Sequence, residues 1–175
     1  MEYLYKINYK LIYKMSYSEV NALKQLNKEL HDLQTDPIIT LGVTVGARTI
    51  NGKKDPFHWQ ITMLGPQDTA YANGLFILTA DFNKDYPKTA PEVKFTNKMY
   101  HLNVNDNGHI CVNTLSEWKE GTTMTEVLSL IFALFYKQNP ESAYDMERAN
   151  LFKNNRAEFD KNAREWTRKY APLSD

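Results

Sequence analysis

Polar and apolar positions alternate along this chain in two rhythms. Between Val20 and Leu33 the apolar residues Val20, Leu23, Leu26, Leu30 and Leu33 recur every three or four positions, the spacing of one buried stripe on a helix. Ser16 and Glu19 ahead of them have the capping-box spacing, and Asp36-Pro37 ends the segment. From Ile38 to Phe95 the rhythm shortens to β-type runs, "IITLGVTVGA", "FHWQITML", "GLFILTADF" and "EVKF". Turn-rich pieces separate them: "NGKKDP", "GPQDTAYANG" and "NKDYPKTAP". Four successive strands with short links predict an antiparallel meander. Helical rhythm returns at Thr123, which with Glu126 forms a second capping box before "VLSLIFALF", Val127 to Phe135, a run apolar nearly all round and so expected to be deeply buried. Pro140 in "QNPES" breaks it. Two further helices are expected, over about Ala143 to Lys153 and Arg156 to Lys169, the latter anchored by Phe159, Ala163, Trp166 and Tyr170. The layout is α+β: one N-terminal helix, a four-stranded antiparallel meander, a long loop and three C-terminal helices.

The first fifteen residues stand apart. Tyr-Lys pairs recur every four residues, with Leu4, Ile7, Leu11 and Met15 between them, a pattern that suits either an amphipathic helix or a Tyr-rich strand. Residues 1–15 are read as an appendage and 16–175 as one compact core, which 175 residues can support without disulfides or a structural metal.

Charge narrows the partners. The 21 basic and 21 acidic side chains cancel, so no global field favours nucleic acid or an anionic membrane, and any partner must be met by a local patch. No apolar run approaches the roughly 20 residues of a bilayer span, and Lys6, Lys10 and Lys14 interrupt any secretory signal. A single cysteine cannot form an internal disulfide, which points to a reducing compartment, cytoplasmic or nuclear.

That cysteine, Cys111, lies in the middle of the one long stretch without periodicity, Thr96 to Thr122, eight residues after Asn103 and ten after His101. A loop of about 27 residues without regular structure within a compact domain is either a mistaken element assignment or a functional site. A second histidine, His109, would share a side with Cys111 on an extended segment, where it could modestly favour the thiolate, but it is read first as exposed and uninvolved.

The ordered set "ALKQLNKELHDLQTDP", "FHWQITMLGPQDTAY", "DYPKTAPEVKF", "YHLN", "NGHIC" and "AREWTRKYA", from Asn21 to Ala171, closely resembles the ubiquitin-conjugating enzymes, most of all their small, broadly acting members. The resemblance implies the α+β fold of that family and a thioester carried on Cys111. It implies partners of four kinds: ubiquitin or a related modifier, an activating enzyme, a ligase and protein substrates. It implies a monomer without metal or organic cofactor, ATP being consumed upstream by the activating enzyme.

The resemblance also assigns site residues. Asn103 takes the position of an asparagine that stabilises the oxyanion or holds the loop that permits it. His101 is read as structural, bonded within its own loop, rather than as a general base. Between them Leu102 stands where the family's His-Pro-Asn turn has proline; it loosens the turn and adds an N–H that must find a partner, at a modest cost in rigidity. Ser142 matches the position that orients or desolvates the attacking amine, and Asn113 a site that is often aspartate, so local negative charge is low. For partners, Lys24 and Lys28 keep part of the basic face for the activating enzyme while Gln25 replaces a usual base. Lys88 replaces an exposed ligase-binding phenylalanine, and Lys119, Glu120 and Gly121 replace Ser-Pro-Ala, changes that either weaken or redirect ordinary ligase binding or, with equal weight, are those of merely solvated loop residues. "GARTINGKKDP" is longer than in close relatives and is read as a solvent-exposed hairpin turn, and the three tryptophans as core bulk.

Two other classes compete. A non-catalytic adaptor on the same scaffold is favoured by Leu102 and the altered ligase loops and opposed by the retention of Cys111, Asn103 and Ser142; a cysteine protease would need a held histidine base and an oxyanion hole, for which no motif is present.

Overall fold

A computed structural model describes residues 15–35, 42–111, 115 and 117–173. The appendage therefore lies outside the described residues except for Met15, as do Ile38 to Leu41 of the first β-type run. Helix α1 spans Tyr17–Thr35. Strands β1 Val43–Ile50, β2 Lys53–Leu64, β3 Leu75–Asp81 and β4 Glu92–Phe95 follow, then α2 Met124–Leu134, a 3-10 turn Pro140–Ser142, α3 Met146–Asn154 and α4 Arg156–Tyr170. The architecture is α+β, an N-terminal helix, an antiparallel four-stranded sheet in the order β1-β2-β3-β4, and C-terminal helices.

Period-two alternation sets the sheet's inner face. Trp59, Ile61 and Met63 on β2 stand opposite Ala80, Leu78 and Phe76 on β3, and Val93 and Phe95 on β4 opposite Ala80 and Leu78; all eight are buried. Phe135, just past α2, packs its ring 5.1 Å from Phe76 and 6.3 Å from Phe95, so α2 closes the core over the end of β3 and β4. At the other end the chain after α4 is sewn to β3, the N–H of Leu75 donating to the Ala171 carbonyl at 2.9 Å.

Four expectations need correcting. The innermost line of α1 is Ala22, Leu26, Glu29 and Leu33, at spacings of four, three and four, while Leu23 and Leu30 are only half-buried beside it. Its capping box is present: Ser16 Oγ accepts the N–H of Glu19 at 3.2 Å, and Glu19 Oε2 faces the N–H of Ser16 at 3.4 Å. The stretch read as a hairpin turn is instead mostly paired strand. β1 and β2 run on past a bulge at Ala47/Arg48 to a two-residue turn at Asn51 (φ 50°) and Gly52 (φ 76°), the geometry of a type I′ turn, which an Asn-Gly pair favours. Helix α2 is not buried all round: its capping box is formed and Met124, Val127, Leu128 and Ile131 are buried, but Ser129, Leu130 and Ala133 face solvent. Helix α3 starts three residues later than expected because Asp145 caps it, Oδ1 accepting the N–H groups of Glu147 and Arg148.

Glu29 is the polar member of the core. Its carboxylate accepts the Tyr86 hydroxyl at 2.6 Å and Gln25 Nε2 at 2.8 Å, and through its other oxygen the N–H of Met124 at 2.8 Å. The first helical N–H of α2 would otherwise lack a partner, and negative charge at that end favours the helix. One side chain thus joins α1, the loop carrying Tyr86 and the start of α2.

Candidate active site

The chain approaches Cys111 through a tight reversal. Asn105 Oδ1 accepts the N–H groups of Asn107 and His109, both at 3.0 Å, and its carbonyl accepts the N–H of Gly108 at 2.9 Å. Gly108 has φ 82° and lies against β4: a Cβ there would fall 1.9 Å from the Phe95 carbonyl oxygen, and the Gly108 carbonyl accepts the N–H of Phe95 at 2.9 Å. The two limbs pair, Val104 with Ile110, and the N–H of Cys111 donates to the Asn103 carbonyl at 2.8 Å. Cys111 emerges half-buried with a free thiol, and His109 is exposed.

The three residues entering the loop are each fastened to the end of α2 or to the segment just after it. His101 is fully enclosed, with Nε2 3.1 Å from the Leu134 carbonyl and Nδ1 accepting the N–H of Asn103 at 2.9 Å, an arrangement that requires the neutral Nε2–H tautomer. Burial lowers its pKa to about 4 against a small opposing pull from the Leu134 carbonyl. The histidine is therefore a strut in its loop.

Asn103 is fully buried and its side-chain amide is spent inside the protein. Nδ2 donates to the carbonyls of Asn139 at 2.8 Å and Ser142 at 3.0 Å, while Oδ1 accepts the N–H of Asn139 at 2.8 Å. Both amide hydrogens are engaged, so the residue pins the cysteine loop to the 3-10 turn. Ser142 sits in that turn, its hydroxyl accepting Asn139 Nδ2 at 3.1 Å with its own proton left to give. Asn113 lies outside the described residues.

Leu102 answers the objection that its N–H raises. The side chain is fully buried, and the N–H donates to Gln138 Oε1 at 2.9 Å. Gln138 Nε2 then donates to the Tyr71 hydroxyl at 3.0 Å, and that hydroxyl to the Tyr100 carbonyl at 2.8 Å. Burial raises the Tyr71 pKa well above its ordinary value, which keeps the hydroxyl a donor.

Tyr144 and Arg148 close the site's other side. The N–H of Tyr144 donates to the Leu102 carbonyl at 3.0 Å, and its half-exposed phenol is raised from its ordinary pKa by partial burial and, second, by the neighbouring Cys111. Arg148 bridges Asp106 (3.0 Å) and Asp145 (3.2 Å) with its guanidinium 4.8 Å from the ring centre of Tyr100 and 5.3 Å from that of Trp166. It locks the reversal before Cys111 to the start of α3.

A family model described as ubiquitin-conjugating enzyme matches residues 25–167, most of the chain and all of this site. The chain belongs to the ubiquitin-conjugating enzyme family. Membership implies partners of three general kinds: ubiquitin, an activating enzyme and ligases.

Within this ubiquitin-conjugating fold, several residues expected to meet partners share a neighbourhood. The Trp118 indole N–H donates to the Pro87 carbonyl at 2.7 Å and the ring lies 5.9 Å from that of Tyr86, so the loops carrying Lys88 and Lys119 to Gly121 lie side by side. Lys88, Lys119, Glu120 and Gly121 are exposed there. Glu29 ties this pair of loops to α1, where Lys24 is exposed and Lys28 is exposed but ion-paired to Asp32 at 2.8 Å. Gln25 is half-buried and its amide is engaged with Glu29, which makes it a support of the face more than a contact on it. The tryptophans hold structure, Trp59 fully buried and Trp118 and Trp166 half-buried.

Sequence reasoning missed Glu29, Tyr71, Gln138, Tyr144 and Arg148. In "QNPES" the sequence reading takes up Pro140 as a helix breaker and Ser142 as a site residue but passes over Gln138 and Asn139, although two adjacent amides before a proline are a signal for side chains that fasten turns.

Proposed function

We propose that the chain is an active conjugating enzyme acting through Cys111. The Cys111 thiolate attacks the activating enzyme's thioester, its sulfur bonding to the modifier's C-terminal carbonyl carbon as the activating enzyme's thiolate leaves. A substrate lysine amine then attacks the same carbon through a tetrahedral oxyanion; the C–S bond breaks, Cys111 leaves as thiolate, the amine loses a proton and an isopeptide bond remains. A ligase cysteine can take the place of the amine. The observation that carries this reading is the half-exposed thiol on a loop whose three entry residues are all hydrogen-bonded to the segment from Leu134 to Ser142. Such fastening fixes the reacting atom, so positioning and desolvation do most of the work.

Asn103 belongs to this proposal as the residue that holds the loop, since both Nδ2 hydrogens are engaged; direct oxyanion stabilisation would require one of the bonds to Asn139 or Ser142 to open first. Ser142, beside it, is the group proposed to receive the incoming amine.

The test is a loading assay with ubiquitin, its activating enzyme and ATP, read on a non-reducing gel. The expected result is an adduct that reductant removes and that Cys111→Ala never forms while keeping its fold. If the chain takes up neither ubiquitin nor any related modifier from its own activating enzyme, the adaptor reading replaces this one.

A further inference from the structure

We infer that Gln138 is a positioning residue for transfer, an inference that rests on the conjugating reading above. Leu102 brings a backbone N–H into a fully buried position, and a buried donor needs an acceptor. Gln138, itself buried, supplies it through Oε1 at 2.9 Å. The amide can face only one way. The Tyr71 hydroxyl gives its proton to the Tyr100 carbonyl, so it must accept from Gln138 Nε2, and Oε1 is left facing Leu102.

The relay starts and ends on the same short piece of backbone. Tyr100 contributes the carbonyl at one end and Leu102 the N–H at the other, so Gln138 and Tyr71 together clamp residues 100–102 from outside. His101 and Asn103 are hooked separately to Leu134 and Asn139. The next bond along the chain is the one that matters: the Asn103 carbonyl accepts the N–H of Cys111 at 2.8 Å, so a shift at residue 102 passes to the thiol through a single hydrogen bond. Gln138 touches neither the thiol nor the modifier. It sets where Cys111 stands relative to Ser142, and so acts on the step that needs an aligned amine more than on loading.

The experiment uses the full chain with ubiquitin, its activating enzyme and ATP, and follows discharge of the Cys111 thioester to free lysine. Gln138→Met keeps the side chain's length and removes its hydrogen bonding; Gln138→Glu keeps an acceptor for Leu102 and loses the donor to Tyr71. The Met variant is expected to load within about twofold of the parent and to discharge about tenfold more slowly, the loss appearing at saturating lysine rather than in the lysine concentration for half-maximal rate. The Glu variant should fall between them. In a Leu102→Pro background, which has no N–H at that position, Gln138→Met should add less than twofold. Parental discharge by a folded Met variant, or the same tenfold loss in the proline background, overturns the inference; if the Met variant does not fold, parental discharge by Gln138→Glu overturns it. A parent chain that takes up no modifier overturns the conjugating reading itself, and that result is seen before any variant is made.

Discussion

The side chain of Asn103 and the backbone of Asn139 are bonded in both directions, Oδ1 accepting the Asn139 N–H and Nδ2 donating to the Asn139 carbonyl, each at 2.8 Å. A side-chain amide thus takes the place of a strand neighbour, joining the cysteine loop to the turn that carries Ser142.

Asn103→Ala removes that pairing and leaves the part-buried Asn139 N–H and the carbonyls of Asn139 and Ser142 unmet. The expected cost is about 1–3 kcal/mol of folding stability for the orphaned donor. Loading of Cys111 should survive, while discharge to lysine should slow by on the order of a hundredfold, because both the pinned loop and any oxyanion contact are lost. Unfolding by urea and a single-turnover discharge assay measure the two effects. Discharge at the parental rate would remove Asn103 from the transfer step.

Gly108→Ala is expected to damage the same loop from its other end. The residue has φ 82° and no room, since a Cβ would fall 1.9 Å from the Phe95 carbonyl oxygen, which is backbone and cannot swing aside. The positive φ costs about 1–2 kcal/mol by itself and the clash must separate the loop from β4. A loss on the order of 3 kcal/mol is expected in a denaturant titration, with reduced loading, because the displaced limb ends at Cys111. A stability change under about 1 kcal/mol would count against the close approach.

The sheet order, the capping boxes and the position of the cysteine loop were legible in the sequence because each rests on local rules: alternation along Trp59-Ile61-Met63, Thr123 with Glu126, and a long aperiodic stretch around Cys111. The partners of that loop were not legible. Leu102 and Gln138 meet across 36 positions, and Glu29 and Met124 across 95, and no periodicity encodes such pairings. Glu29 was hidden for a further reason: a helical stripe is recognised by apolar residues, and a carboxylate within it looks like an error in register until its three donors are seen. The strands beyond Ala47 were missed because Asn-Gly and two lysines read as loop, whereas the same Asn-Gly fixes a two-residue turn that lets both strands continue.

Acid should weaken the fold through His101. Its folded pKa is about 4 against about 6.5 for an exposed histidine, so between those values the unfolded chain binds a proton that the folded chain does not. The stability that neutral His101 provides is complete above pH 6.5, falls as pH drops toward 4, and levels off below it. The full shift corresponds to about 3 kcal/mol. Urea unfolding at pH 7, 5.5 and 4.5, compared with His101→Gln, isolates this contribution; equal slopes for the two proteins would show that the ring is not held neutral in the native state.

Glu29 is expected to be the most sensitive polar position in the core, because three donors converge on one carboxylate: the hydroxyl of Tyr86, the amide of Gln25 and the N–H of Met124. Glu29→Gln keeps the shape but brings donors of its own, so at least one of the three meets a donor, at a cost of about 2 kcal/mol. Glu29→Ala also leaves a cavity beside Ala22 and Leu26 and should cost roughly 3–5 kcal/mol. Tyr86→Phe removes one donor, so combined with Glu29→Gln its cost should be less than the sum of the two alone. The alkaline limb follows from the same contact. Burial first, and then the Glu29 hydrogen bond and charge, raise the Tyr86 pKa above 10, so this contribution is intact below pH 10 and falls above it as the unfolded tyrosine ionises, by about 1.4 kcal/mol per pH unit. Because the same carboxylate holds α1 against the Tyr86 to Lys88 loop, Glu29→Gln should also slow loading by the activating enzyme while leaving lysine discharge of already loaded Cys111 within about twofold. Discharge slowed as much as loading would mean that Glu29 supports the whole domain and not the partner face in particular.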